Sequence, residues 1–386
     1  MPTTQWPLLP TFSITQPGDE PGPMLPQPRP FLRRIIRSIT HPLPQPTPLP
    51  PTHITDLHIH DPSIIHDATT NTYYAYGSGP RIPIHTAPSL SGPWTLAGTV
   101  LSHDSKLPRG DTKAPWAPTT ISLNGVYYCF YATSNSGCRN SALGVATSSH
   151  PGPDLNSGPS TWTDHGALPL GISGIGITTY PFDRANAIDI SVVIDHTTDG
   201  TAYMSFGSFW TGIWQIPLTG DFLGADPRVE EVRHLAFEPT AVHPPAKKAD
   251  GVCGDATGMH PIEGAFVSFR DPWWYLWFSW GKCCHFDPER LPREGMEYSI
   301  RLGRSLSPRG PFHDKRGRDL LNGGGETIYA SNDDVYAPGG QGVLADEGGM
   351  YFIIIIVMNK SIGYGFHDAR LGFNPLVYVD GWPVAQ

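Results

Sequence analysis

The stretch DISVVIDHTTDGTAYMSFGS (189–208) has the pattern of a β-hairpin. An alternating strand leads into a polar turn at Asp199-Gly200, and a second strand with aromatic residues follows. Asp-Gly favours tight hairpin turns, because such turns need positive φ angles that these residues tolerate. A hairpin of this length cannot bury both of its faces alone, so the pattern predicts further strands packed beside it.

The same pattern occurs four more times, and the copies begin near residues 61, 117, 189, 263 and 339. Successive starts differ by 56, 72, 74 and 76 residues, as expected of one unit with loops of variable length. The other copies are DPSIIHDATTNTYYAYGSG (61–79), APTTISLNGVYYCFYATS (117–134), EGAFVSFRDPWWYLWFSWG (263–281) and GGQGVLADEGGMYFIIIIV (339–357). Five similar units favour an all-β, five-bladed β-propeller over the alternative, a β-sandwich with unrelated hairpins.

Composition agrees with many short strands. The chain has 42 Gly, 42 Pro and 16% charged residues, and both Gly and Pro destabilise helix interiors. Proline is concentrated in residues 1–55, where PLPQPTPLPPT (42–52) is typical of extended polyproline conformations. We therefore predict a Pro-rich, largely disordered N-terminal extension over residues 1–55 and a catalytic propeller over residues 56–386.

Charge and hydropathy exclude two classes of partner. The net charge is −9, and basic residues cluster only at Arg29–Arg37, so we expect no nucleic-acid partner. The longest apolar run, Tyr351–Met358, is shorter than the ~18–20 residues of a membrane helix, so we expect no membrane partner. The first residues lack a signal-peptide pattern, which favours a cytosolic protein. Five cysteines are an odd set, which argues against a full disulfide framework.

Three acidic residues begin copies of the repeat. The first positions read Asp61, Ala117, Asp189, Glu263 and Gly340. The innermost strands of a propeller line one central channel, so these three acids are predicted to meet in one pocket. Each acid alone is also explained as a turn or strand-entry residue, but their shared register favours a site. Mutual repulsion raises the pKa of at least one carboxyl, which suits the acid and base of glycosidic hydrolysis.

Seven motifs resemble glycoside hydrolase family 43, and within it the endo-1,5-α-L-arabinanase group. The resemblance spans residues 57–385, and its motifs are HDPSII (60–65), WAPT (116–119), NAIDIS (186–191), IEGAF (262–266), LGRS (302–305), NGGG (322–325) and DGWPV (380–384). It implies cleavage of 1,5-α-L-arabinofuranosyl linkages in arabinan with inversion. It also implies that Asp61 is the general base, Glu263 the general acid, and Asp189 the carboxylate that raises the acid's pKa and orients it. An inverting pair is separated by ~6.5–9.5 Å.

The resemblance also implies a set of substrate-binding residues. Trp116 is expected either to stack on a sugar face or to be a core aromatic residue. Arg304 is expected either to contact Glu263 or to form a structural salt bridge. The full set is Trp116, Gly137, Asn186, Ala187, Ile188, Phe206, Gly207, Ser208 and Arg304.

The sequence departs from the family pattern at Gly340. Many members have a histidine there, in an axial metal site usually assigned to calcium. Glycine has no side-chain ligand, so we expect no metal-ligating residue here and no required cofactor, and an axial calcium is the less favoured alternative. His260 is either a compensating polar group near the axis or a surface-loop histidine. Cys283 and Cys284 resemble a pair in related arabinanases and are either a vicinal disulfide or free thiols.

Two alternatives to an endo-arabinanase remain open from sequence. One is an exo-acting α-L-arabinofuranosidase or β-xylosidase on the same fold, since cleavage mode depends on channel shape. The other is a carbohydrate-binding pseudoenzyme, which would be expected to lack one of the acids. We expect a monomer whose partner is arabinan or an arabino-oligosaccharide. A polymeric substrate of this kind lies outside the cell, in tension with the cytosolic interpretation.

Overall fold

A computed structural model describes residues 49–50, 52–153, 161–225, 231–245, 249–284, 286–346, 349–356, 358–359 and 361–386. Disorder was predicted for residues 1–55, of which 1–48 and 51 lie outside these ranges, whereas residues 53–55 belong to a strand. Within the described ranges, no helix reaches the length and apolarity that crossing a membrane requires. The 3₁₀ turns Leu320–Asn322 and Phe366–Asp368 interrupt a chain built from short strands.

Four blades are antiparallel sheets whose strands follow one another in sequence. The turn between the first two strands of blade two is Asn124-Gly125, and both residues have positive φ, as its sequence predicts. The strands are β2 (Ser63–Asp67), β3 (Thr72–Tyr76), β4 (Pro83–Ala87) and β5 (Thr95–Thr99) in blade one; β6 (Trp116–Leu123), β7 (Val126–Thr133), β8 (Ala142–Ser148) and β9 (Thr163–Ile172) in blade two; β10 (Ser191–Ile194), β11 (Ala202–Phe206), β12 (Ile213–Pro217) and β13 (Arg233–Ala236) in blade three; and β14 (Ile262–Arg270), β15 (Trp273–Trp280), β16 (Ser299–Ser305) and β17 (Glu326–Tyr329) in blade four.

Blade five closes the ring with strands from both ends of the chain. The strand β1 (His53–His58) pairs with β22 (Arg370–Val379), which pairs with β20 (Gly349–Ile356), and β20 pairs with the inner strand β19 (Gly339–Asp346). The predicted domain boundary after residue 55 falls within β1, and the division into extension and propeller stays a prediction. The remaining strands are β18 (Val335–Tyr336), β21 (Met358–Asn359) and β23 (Trp382–Ala385).

Five buried clusters lie between neighbouring blades, one at each interface of the ring. The cluster between blades five and one includes Leu57, Ala75 and Leu371, so the last blade packs on the first. The inner strands β2, β6, β10, β14 and β19 also contact one another in a closed cycle. Burial of apolar surface between blades therefore stabilises the ring as a whole, and the predicted five-bladed propeller is confirmed.

Candidate active site

The inner strands meet at a cavity of about 920 Å³. Asp61, Asp189 and Glu263 all line it, although they lie on three different blades. The sequence prediction that the three acids converge on one pocket is confirmed by this arrangement.

The register of the three acids differs from the predicted one. A residue at positive φ lies within two positions of the first residue of each inner strand, and these residues are Asp61, Ala117, Asp189, Gly264 and Gly340. The residue of blade four at this position is thus Gly264, and Glu263 precedes it by one residue. The placement of Glu263 in register with the two aspartates was wrong.

Strand pairing supports the corrected register. In blades two, four and five the inner ladder pairs at Trp116, Glu263 or Gly339, skips two residues and then resumes. This interruption is a β-bulge, which redirects side chains at the end of a strand. Glu263 therefore corresponds to Trp116 and Gly339. Comparison of the five repeats in the sequence missed this offset, because a bulge of one residue does not change the pattern of apolar residues.

Hydroxyl groups hold the carboxyl group of Glu263. Ser208 Oγ lies 2.5 Å from Oε2, and the Tyr298 hydroxyl donates to Oε1. Gly339 makes room for the Tyr298 ring, since a Cβ there would lie 2.2 Å from its Cδ1. Burial raises the pKa of Glu263, while the hydrogen bonds from Ser208, Tyr298 and the Cys283 thiol lower it. The net direction is upward, as proton donation requires.

Asp189 is linked to the blade of Glu263 by a backbone hydrogen bond. The Gly264 amide donates to Asp189 Oδ2 at 3.2 Å. Burial raises the pKa of Asp189 well above its usual range, and the charges of Glu263 and Asp61 add to the effect. The pocket therefore keeps a proton at a pH where isolated carboxyl groups have lost theirs.

Asp61 is partly exposed, as is Asp189, whereas Glu263 is buried. Ser78 Oγ donates to Asp61 Oδ2 at 2.6 Å and accepts from the Ala117 amide at 2.8 Å. This relay links blade one to blade two and fixes the orientation of the carboxylate. Asp61 is thus held by one hydroxyl and open to the pocket, whereas Glu263 is buried and held by two.

Side-chain and backbone groups near the axis bond to one another. Ser279 Oγ accepts from the Gly340 amide at 3.0 Å and donates to Gln341 Oε1 at 2.9 Å. Gln341 Nε2 donates to the Gly264 carbonyl at 2.5 Å. Within the described ranges, no group of three or more His, Cys, Asp or Glu side chains is arranged to hold a metal ion. These residues are a poor fit to a calcium site, and the absence of a required metal stays a prediction.

The predicted binding residues divide into two groups. Those that line the cavity are Trp116, Gly137, Asn186, Ile188 and Ser208; those that do not are Ala187, Phe206, Gly207 and Arg304. Trp116 packs against the core between blades two and three and also lines the cavity, so stacking on a sugar face stays a prediction. At Gly137 a Cβ would have open space, so its φ of +75° rather than room for the ligand favours glycine.

The residues outside the cavity have structural roles. Phe206 is buried and stacks on Phe182 at 4.7 Å between ring centroids. Ala187 is fully buried and donates its amide to Ser173 Oγ. At Gly207 a Cβ would lie 2.1 Å from the Gly212 carbonyl oxygen. These positions shape the blade behind the site.

Neither prediction for Arg304 holds, because its side chain points to the interface of blades four and five. Its Nη1 donates to the Asp380 and Gly381 carbonyls at 3.1 and 2.7 Å. Its guanidinium lies 4.1 Å from the Trp273 ring centroid and 4.3 Å from that of Trp382. The interactions are cation–π contacts and backbone hydrogen bonds, and among the described residues Arg304 forms neither a contact with Glu263 nor a salt bridge.

Both expectations for His260 were also wrong. The residue is 5% exposed, so it does not belong to a surface loop, and it does not line the cavity. Its Nδ1 lies 2.6 Å from the Glu238 carbonyl oxygen, and its ring packs on Phe237. His260 is a hydrogen-bonded histidine of the core behind the pocket.

Sequence reasoning missed Tyr298, Ser279 and Gln341, since no motif marked them. It also missed the disulfide between Cys138 and Cys253, which are 115 residues apart. The open question about the adjacent cysteines has an answer: Cys283 and Cys284 are free thiols, and both line the cavity.

Comparisons with known proteins agree with the geometry. The family model "Glycosyl hydrolases family 43" matches residues 53–383. The chain is 56% identical over 311 residues to the Aspergillus fumigatus protein named "Probable arabinan endo-1,5-alpha-L-arabinosidase B", covering 80% of this chain and 81% of that protein. It is 48% identical over 383 residues to "Arabinan endo-1,5-alpha-L-arabinosidase B" of Emericella nidulans, covering 95% and 90%. The crystal structure of an exo-1,5-alpha-L-arabinanase from a bovine ruminal metagenomic library superposes with a TM-score of 0.69 at 25% identity, covering 86% and 99%.

Proposed function

This chain belongs to glycosyl hydrolase family 43, and we propose that its propeller cleaves 1,5-α-L-arabinofuranosyl linkages of arabinan. The convergence of three carboxyl groups from three blades on one cavity supports this most strongly. The names of the relatives supply the substrate class, since this chain is similar to arabinan-cleaving enzymes over most of its length. A binding protein without activity would not need three acids with raised pKa values among them.

The proposed reaction is a single displacement at the anomeric carbon. Asp61 accepts a proton from a water molecule whose oxygen attacks that carbon. Glu263 donates its proton to the oxygen of the leaving sugar as the glycosidic bond breaks. The carbon is inverted, Asp61 ends protonated and Glu263 ends ionised, and exchange with solvent restores both.

The environments of the two acids support these roles. Burial raises the pKa of Glu263, so its proton is retained for donation. Asp61 is partly exposed and accepts one hydroxyl hydrogen bond, which leaves its other oxygen for water. Asp189 accepts from the amide of Gly264, the residue that follows Glu263, so its proposed role is to keep the acid protonated and oriented rather than to react.

Product analysis tests the reaction type. Linear 1,5-α-arabinan, aryl α-L-arabinofuranosides and β-xylosides are incubated separately, and products are resolved by size. Internal cleavage gives a ladder of oligosaccharides at early times, whereas exo cleavage gives one small product. Proton NMR of the first product is expected to show the β anomer. A first product with the α anomer would refute single displacement, and activity on xylosides alone would refute the proposed substrate.

The disulfide bears on where the reaction takes place. A bond between Cys138 and Cys253 is typical of proteins that fold in oxidising compartments. This favours an extracellular site of action over the cytosolic interpretation, in agreement with a polymeric substrate.

A further inference from the structure

The segment 249–259, here called the flap, is attached to blade two beside the cavity. A disulfide joins its Cys253 to Cys138, in the loop that follows β7. Backbone hydrogen bonds flank the disulfide: the Arg139 amide donates to the Val252 carbonyl, and the Gly254 amide to the Gly137 carbonyl, both at 2.8 Å. The flap is therefore fixed to this loop by one covalent bond and a short antiparallel bridge.

Further contacts attach the flap to the segments that contain Trp210 and His243. Trp210 Nε1 donates to the Gly251 carbonyl at 3.2 Å. The Met259 amide donates to the His243 carbonyl at 2.9 Å, and the Met259 carbonyl accepts from Val242 at the same distance. The flap thus bridges two parts of the cavity wall, although it contains no regular strand.

The inner side of the flap faces the cavity. Its Gly254, Asp255, Gly258 and Met259 line the cavity together with Trp210. None of the hydrogen bonds described for the flap reaches the three catalytic acids. The flap therefore lines the cavity without taking part in the hydrogen bonds that hold the three acids.

One flap carboxylate has an unused acceptor. Asp255 Oδ1 accepts from the Thr257 amide and hydroxyl at 2.8 and 2.7 Å. Its other oxygen, Oδ2, is buried and has no hydrogen-bond partner among the described residues. Nearby, Arg139 Nη1 is also buried without a partner in that part of the chain. A buried carboxylate oxygen without a donor is unfavourable, so a ligand hydroxyl would stabilise it.

We propose that the flap and Trp210 form a subsite for an arabinose unit remote from the cleaved bond. In this subsite Asp255 accepts a sugar hydroxyl and the Trp210 ring packs on the apolar face of the furanose. The Cys138–Cys253 disulfide holds the subsite in its binding conformation before substrate arrives. The proposal rests on the proposed function, and it makes the flap a determinant of the preference for long substrates.

Chain-length dependence tests the subsite. Two variants are compared with the wild type: Asp255→Ala and the double variant Cys138→Ser/Cys253→Ser. Each is assayed on linear arabinan and on the shortest arabino-oligosaccharide that the enzyme cleaves. We expect kcat/KM on arabinan to fall roughly tenfold, the effect of one lost polar contact, with little change on the short substrate. A reductant is expected to reproduce the effect of the double variant in the wild-type protein, because Cys253 is exposed.

Asp221→Ala is the matched control. Asp221 Oδ1 accepts from Thr219 Oγ1 and the Leu223 amide, a local turn like that of Asp255, but it does not line the cavity. Its loss is expected to leave both substrates unchanged. Equal losses on long and short substrates in the flap variants, or no loss on either, would overturn the subsite. A wild type inactive on every arabinose substrate would instead overturn the proposed function.

Discussion

The cavity has two contrasting walls. The floor is formed by Asp61, Asp189 and Glu263 at the ends of inner strands, so the repeating blades position it. The rim is formed by the flap and the loop of Cys138, which are joined by a disulfide and by backbone hydrogen bonds. The floor places the reacting groups and the rim is proposed to select the chain. The repeated blades thus position the three acids, while contacts between segments distant in sequence hold the proposed subsite in place.

The largest effect is expected from removing an acid of the floor. Glu263→Ala should lower kcat on arabinan roughly 10²–10⁴-fold, because the leaving oxygen is no longer protonated. Aryl arabinosides with acidic phenols should be partly spared, since such leaving groups need less protonation. Asp61→Ala should lose activity on both substrates, because water must be activated in either case. The measurement is kcat against leaving-group pKa, and the same dependence in both variants would contradict the assigned roles.

A smaller effect on activity is expected from changing Tyr298, which contacts Glu263 from behind the floor. The Tyr298 hydroxyl bonds to Glu263 and lowers the pKa of that carboxyl, so Tyr298→Phe should raise it. The acid must be protonated to react, and activity is lost as pH rises through its pKa. The alkaline limb of the pH–rate profile should therefore move to higher pH.

Tyr336→Phe is the control for that shift. Tyr336 packs in the same buried cluster as Tyr298, and its hydroxyl has no hydrogen-bond partner among the described residues. Its profile should match that of the wild type. A limb that stays in place in Tyr298→Phe, or moves to lower pH, would show that this hydroxyl does not tune the acid.

Removing Arg304 should affect stability without affecting either wall. Arg304→Ala loses two cation–π contacts and two backbone acceptors, so the free energy of unfolding should fall by about 1–3 kcal/mol. KM on short and long substrates should remain that of the wild type. Urea unfolding and kinetics on the same samples measure both quantities. A raised KM with unchanged stability would show that Arg304 binds substrate, as the sequence predicted.

The contrast between walls also explains what sequence could predict. Five hairpins with turn residues such as Asn124-Gly125 indicated the ring, and the ring brought acids from distant blades together. The one-residue offset of Glu263 was beyond reach, because it depends on a bulge in the ladder. Tyr298 and the Cys138–Cys253 pair were also missed, since their contacts join segments between repeats. Arg304 was misplaced because a family motif does not specify which way a side chain points.

The smallest effect is expected at the axis, where chelation should change nothing. Calcium takes 6–8 oxygen ligands, and Gly340 contributes no side chain to such a set. The neighbouring Gln341 amide is already bonded to Ser279 and to the Gly264 carbonyl, so binding a cation there would break existing hydrogen bonds. After EDTA treatment and removal of the chelator, activity on arabinan should equal that of untreated enzyme, with or without added calcium. Thermal unfolding supplies an independent reading, because a cation that binds the folded state raises the midpoint with its concentration. A loss of activity restored by calcium but not by magnesium would contradict this prediction. It would show that backbone carbonyls and water hold a metal without the histidine, and that this metal is needed for the reaction at the three acids.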